Sequence, residues 1–253
     1  MTSARVAQTF ARHLPSYDTE ARAQRLIAAT LFQALEPVTP RHPRLLEAGH
    51  GTGFLTRDLL ALQPQALWLN DLSAPLPDLQ YPAPPQVLAG DIAHLPLPLE
   101  LDLIASASML QWLPEPEALI RRFCAVLRPG GVIALSGFGP GNFPELAQMG
   151  LPAGAPSYRD ANALAAALPK GMEILWARDA TITLTFASAQ GLFGHLRATG
   201  VNGAQGGQMA PSALKSLMAR MNLGGNLTLT YCPSYLLARK PGRVRAARGK
   251  EWA

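Results

Sequence analysis

A chain of 253 residues, 48% of them hydrophobic, can bury a core of its own and suits one large domain. Its two cysteines, Cys124 and Cys232, form no CxxC pair, which argues against a zinc site or a disulfide framework and for a reducing compartment. The net charge of +5 is local: residues 239–253 hold six Lys or Arg and one Glu, which leaves residues 1–238 neutral. No acid lies between Asp179 and Glu251, where nine basic residues do, so the last third is single-signed. That suits a solubilising tail or a surface that meets an acidic partner. The first residues lack the apolar run of a signal peptide, and no stretch reaches about 18 uninterrupted apolar residues. A cytoplasmic protein without membrane or nucleic-acid partners is expected.

In chain order, residues 1–36 carry apolar positions at helical spacing (Val6, Phe10, Leu14, then Leu26, Ile27, Leu31, Phe32, Leu35), and EPVTPRHP ends the pattern with three prolines. Strands are predicted at 44–48, 66–70, 86–89, 101–106 and 131–137, with helices at 53–62 and 115–127. LRPGG, residues 127–131, reads as the turn that stops the second helix and starts a strand. This alternation predicts an α/β fold with a mostly parallel sheet and helices on both faces. Residues 140–170 read as an insertion with short helices. A long strand at 172–187, a helix at 188–199, a glycine-rich loop at 200–207, a helix at 211–221 and a last strand at 227–238 follow. The expected organisation is a single domain over 1–241. It comprises a helical cap at 1–40, the insertion at 140–170, substrate-side helices at 188–221 and a disordered basic tail at 242–253.

LLEAGHGTGF, residues 45–54, places Gly49, Gly51 and Gly53 after the first strand, where glycines let backbone approach a ligand closely. A dinucleotide loop would need glycine at 54, where Phe54 stands, and a triphosphate loop would need a Gly-Lys-Ser/Thr run. Glu47 repels phosphate and suits an ammonium group. E-x-G-x-G-x-G after a first strand resembles the S-adenosyl-L-methionine site of class I methyltransferases. Asp71 ends the second strand, where such folds place the acid that takes both ribose hydroxyls, and Leu72 follows it. Asp91 follows the third strand. The resemblance puts it at the adenine amino group, with Ile92 against the ring.

Three further stretches resemble the malonyl-[acyl-carrier protein] O-methyltransferase family of biotin synthesis: TFARHLPSYDTEARAQRLIA (9–28), GFGPGNFPEL (137–146) and GLFGHLRATGVNG (191–203). With YLLARKP (235–241), the resemblance spans most of residues 5–241. It departs at His50, where small residues or cysteine are more usual, and in the glycine-rich stretch GAQGGQ (203–208). It implies a seven-stranded class I methyltransferase sheet and methyl transfer to the free carboxylate of a malonyl thioester on acyl carrier protein or coenzyme A. The ester would prime pimelate and biotin synthesis. Such a carboxylate is ionised at pH 7, with a pKa near roughly 4, so no general base is needed. A cation to hold it is needed, and Arg197 is the candidate, with a surface arginine as the alternative. Tyr17 is the second catalytic candidate, on a segment expected to fold over the cofactor, and His195 the third. Trp112 and Asn202 are expected to line the acceptor pocket. The same cofactor loop would also serve a methyltransferase for another small carboxylate or a quinone-like ring, or an assembly factor or protein-modifying member of the fold.

Overall fold

The computed structural model describes residues 17–72, 75–151, 155–199, 211–222 and 227–242, together with Gln8. Five strands come first: β1 (Arg44–Ala48), β2 (Ala66–Asp71), β3 (Gln86–Ala89), β4 (Leu101–Ser106) and β5 (Leu127–Phe138). They pair in parallel, and β6 (Glu173–Asp179) and β9 (Pro233–Arg239) complete a seven-stranded sheet of order β3-β2-β1-β4-β5-β9-β6. β9 runs antiparallel to both of its neighbours.

The central strands are apolar at nearly every position because both faces are covered. Their side chains alternate between two cores. Leu45, Leu103, Ala105, Val132 and Ala134 join Ile27, Leu31 and Leu35 of α1 (Arg22–Leu35) and Leu55 and Leu59 of α2 (Phe54–Leu59). Leu46, Ile104, Ile133 and Leu135 face the other way. They meet Leu119, Ile120 and Phe123 of α3 (Pro116–Val126) and Leu164 of α5 (Ala161–Ala166). The period of two in the strands thus divides one sequence between two helical layers. Ahead of α1, residues 17–20 are also helical.

Two predicted elements divide where they were expected to run on. The strand expected over 172–187 breaks after β6, and β7 (Ile182–Phe186) follows. The strand expected over 227–238 breaks at Cys232 into β8 (Leu227–Tyr231) and β9. β7 and β8 form a separate two-stranded antiparallel sheet. The break has a local cause in the 139–145 stretch, which bonds along the bend. Gly139 N–H donates to the Cys232 carbonyl at 2.8 Å, Cys232 N–H to Asn142 Oδ1 at 3.0 Å and Phe143 N–H to the Thr230 carbonyl at 2.9 Å. Glu145 of α4 (Pro144–Gln148) accepts from Thr230 N–H at 3.0 Å and from the Thr230 hydroxyl at 2.5 Å. Phe143 adopts φ 58°, a left-handed conformation that costs a bulky residue on the order of 1–3 kcal/mol. These bonds and its edge-on contact with Tyr231, at 4.7 Å, offset that cost.

The small sheet carries α6 (Ala189–Ala198) and α7 (Pro211–Asn222) between its two strands. The LRPGG turn lies inside β5: Leu127 pairs with Leu101, and pairing resumes with Val132 opposite Leu103. The loop 200–207 and the tail from 243 onward lie outside the described residues.

Candidate active site

β2 and β3 lie to one side of β1 and β4 lies to the other, so the strand order reverses at the C-terminal end of β1. Open α/β sheets bind their ligands at such a point. The chain after β1 turns through Gly49, Gly51 and Gly53, with φ of 72°, 54° and 90°. Two of these positions leave no room for a side chain. A Cβ on Gly49 would lie 2.6 Å from Met109 Cγ, and one on Gly53 2.7 Å from Pro77 Cβ. The turn is fastened to β2. Gly49 and His50 N–H both donate to the Asn70 carbonyl at 2.9 Å, and Gly51 N–H donates to Asp71 Oδ2 at 3.0 Å. His50 is buried, with Nδ1 2.9 Å from the Gly51 carbonyl, so it belongs to the turn's frame.

Asn70 ties the third strand to this edge: its Nδ2 donates to the Leu88 and Gly90 carbonyls at 2.7 and 2.9 Å. Gly90 N–H donates to the Asp71 carbonyl at 2.9 Å, which brings Asp91 beside the end of β2. Asp91 Oδ1 accepts from Ala93 N–H at 3.0 Å, and Ile92 is buried in the core below. Arg122 of α3 holds the same loop. Its guanidinium donates to the carbonyls of Ile92, Ala93 and Leu95. Sequence reasoning missed Arg122, because an arginine in an amphipathic helix carries no signal of the loop it will meet. It also missed Met109, Pro77 and Tyr81, whose hydroxyl donates to the Pro77 carbonyl at 3.0 Å.

Glu47 stands on β1 below this turn. It is 1% exposed, and its Oε2 has no hydrogen-bond partner among the described residues. Burial pushes its pKa up to about 8. The buried Thr56 hydroxyl opposes that rise without closing a hydrogen bond, and Asp71 and Asp58 add to it. A buried, unpartnered carboxylate is costly, and a cation placed against it removes the cost. Glu47, the three glycines, Asp71 with Leu72 after it, and Asp91 with Ile92 thus lie along one sheet edge.

Tyr17 closes one side. Its ring stacks on Phe54 at 6.1 Å, and burial, then the nearby Asp71 and Asp18 carboxylates, push its pKa up. Behind it lies a second group of polar residues. His195 of α6 is buried, with Nε2 2.7 Å from Tyr231 Oη and Nδ1 3.5 Å from Glu20 Oε2. Arg197 does not join it. The buried face of α6 is Ala189, Leu192, His195 and Leu196, and Arg197, two positions after His195, is exposed. A helix turns about 100° per residue, so positions i and i+2 point apart, and Arg197, the candidate cation for the acceptor carboxylate, lies off the face that carries His195. Trp112 is half-buried in a single 3-10 turn after β4. Asn202 lies outside the described residues. No group of three or more metal-ligating side chains occurs among the described residues.

A methyltransferase-domain family model matches residues 46–135, the stretch that holds the whole turn and its three acids. A malonyl-[acyl-carrier protein] O-methyltransferase of Bacteroides thetaiotaomicron is 33% identical over 93% of this chain and 97% of its own. The chain belongs to the malonyl-[acyl-carrier protein] O-methyltransferase family. A second member, from Chlorobium phaeovibrioides, is also 33% identical, over 93% of this chain and 95% of its own. Among solved structures, a Burkholderia thailandensis 1,6-didemethyltoxoflavin-N1-methyltransferase with bound S-adenosylhomocysteine shares the fold. Its TM-score is 0.51 at 17% identity, with 94% of this chain and 88% of that one covered. The protein is therefore an S-adenosylmethionine-dependent methyltransferase with the class I sheet. The chemistry of its turn is compatible with that cofactor, which carries an amine, a ribose and an adenine: three carboxylates and no Gly-Lys-Ser/Thr phosphate loop lie there.

Proposed function

We propose that this methyltransferase esterifies the free carboxylate of a malonyl thioester carried by acyl carrier protein. Family membership over 93% of the chain supports the acceptor, and the buried Glu47, whose Oε2 has no hydrogen-bond partner among the described residues, is the observation that carries the cofactor site. When bound, S-adenosylmethionine supplies an electrophilic methyl group. Glu47 would hold its ammonium group, with the glycine turn beneath the chain that bears it. Asp71 would take the ribose hydroxyls, and Asp91, Leu72 and Ile92 the adenine.

The acceptor needs no base, since its carboxylate is ionised near neutral pH. What the protein supplies is alignment and exclusion of water. Tyr17 on Phe54, with Phe186, His195 and Tyr231 behind, forms an aromatic wall suited to both tasks. Esterification removes the charge, so the product can enter an apolar channel that rejects a carboxylate.

Acyl carrier protein would be an acidic partner. Arg197 and Lys215, exposed on α6 and α7, offer it positive charge in a region without acids. On that placement Arg197 serves the carrier, and the acceptor carboxylate is held elsewhere. Incubation with S-adenosylmethionine and the malonyl thioester of acyl carrier protein or of coenzyme A tests the reading by product mass. The carrier-bound thioester should gain one methyl and be preferred. Turnover of a quinone-like ring with none of either thioester would overturn it.

A further inference from the structure

The helical turn 17–20 reaches two parts of the site at once. Its Tyr17 end rests on Phe54 beside the glycine turn, and its Glu20 end approaches His195. From water inward the row runs Glu20, whose side chain is 42% exposed, then His195, then Tyr231, which is fully buried. His195 Nδ1 has no hydrogen-bond partner among the described residues, and the Glu20 carboxylate is 3.5 Å away.

The position of the protons decides what this row can do. With its one proton on Nδ1, His195 points it at Glu20 and must accept from the Tyr231 hydroxyl through Nε2. Tyr231 then has no hydrogen left to offer. With the proton on Nε2, a lone pair on Nδ1 faces a carboxylate. Doubly protonated, the ring donates in both directions. That frees the Tyr231 hydrogen and puts a positive charge one hydrogen bond behind it. In the protein alone, burial lowers the His195 pKa, Glu20 opposes this and Arg22 reinforces it. An anion brought to the Tyr231 hydroxyl, out of water, would reverse the balance.

We propose that His195 supplies the counter-charge for the acceptor carboxylate, acting through Tyr231 and steadied by Glu20, so that the acceptor binds together with a proton. The proposal rests on the carboxylate-methylating reading above. His195 and Tyr231 are positioning residues here, and the proton takes no part in the bond changes. Once the carboxylate is an uncharged ester, the reason for the charge on His195 is gone, and the proton returns to water with the product.

The charged and titratable groups facing the pair are Glu20 from the turn, Arg22 from α1, Tyr17, and Tyr158 from the loop before α5. Phe186 of β7 and Thr199 add uncharged contacts. Arg22 is the rival counter-charge, with its guanidinium 5.5 Å above the Phe186 ring. A guanidinium is always charged, so it takes up no proton.

The test is calorimetry of the full chain loaded with S-adenosylhomocysteine and titrated with malonyl-pantetheine. Two buffers of different protonation heat are compared at about pH 7.5. Uptake of a large fraction of one proton is expected, and none with acetyl-pantetheine. His195→Gln keeps an amide donor toward Tyr231 but cannot be protonated. It should abolish the uptake and weaken malonyl binding about tenfold or more, with cofactor affinity within about twofold. Glu20→Gln, at a partly exposed position, should move the midpoint of uptake to lower pH, and Arg22→Gln should leave uptake in place. Malonyl binding without proton uptake, or uptake that survives in His195→Gln, overturns the proposal and leaves the functional reading intact. If the wild-type enzyme methylates no malonyl thioester, that reading fails and the proposal falls with it.

Discussion

Glu47 is a buried acid whose pKa stands well above the ordinary carboxylate range, and this sets two opposite pH dependences. A raised native pKa contributes stability below the ordinary value, and that contribution is lost as pH rises through about 8. The cofactor-free protein should therefore melt at lower temperature as pH climbs from neutral to 8.5 or so. An ammonium ligand prefers the ionised form, so cofactor affinity should rise over the same window. Glu47→Gln should flatten both dependences. In thermal melts and calorimetry it should raise the melting temperature of the cofactor-free protein near pH 8 and weaken the cofactor by about 2 kcal/mol. A variant that binds as well as wild type would remove Glu47 from the site. At Asp71 the loss has two parts, because the carboxylate also accepts from Gly51 N–H. Asp71→Ala should weaken the cofactor by about 1.5–3 kcal/mol in the same titration, and unchanged affinity would exclude it.

Among the elements, the two-stranded sheet is the part whose support comes from elsewhere in the chain. Glu145 on α4 grips Thr230 of β8 through two hydrogen bonds, and β8 carries Tyr231. Glu145→Ala should cost about 1–3 kcal/mol of stability by leaving Thr230 N–H unpaired. It should raise the acceptor KM by a larger factor than it changes cofactor affinity. Equal losses in both would show that β8 does not serve the acceptor alone. The parallel half of the sheet was legible in the sequence, because its strands read as short runs between helical patterns, mostly apolar where both faces are buried, as in β4. β1, β3 and β4 lie where those runs predicted. The division of the later strands was not legible, since β6 and β7 form one β-favouring run and the bend depends on bonds from residues 139–145. For the same reason the turn after β1 and its acids could be read, being local, while the Glu20–His195–Tyr231 row could not. It joins three residues distant in sequence. Arg197 shares a motif with His195, but the helix register, which the motif does not show, sets the two on different sides of α6.

For the whole molecule, charge is divided as sharply as function. Glu47, Asp71 and Asp91 lie along one edge of the sheet, and residues 180–250 hold no acid. If the exposed cations Arg197 and Lys215 meet an acidic carrier, reversing both to Glu should slow turnover of carrier-bound substrate and reduce its salt dependence. Turnover of malonyl-pantetheine should hardly change. Equal effects on both substrates would place these residues at the reaction instead of at the carrier. On the proposed reading, a methyl donor at the end of β1 meets a carboxylate brought in from the α6 side. Mass spectrometry of malonyl-acyl carrier protein after incubation with enzyme and S-adenosylmethionine tests this most directly. The acyl group should gain one methyl, as an ester that mild alkali removes. An unchanged malonyl group, with cofactor binding confirmed in the same sample, would contradict the account.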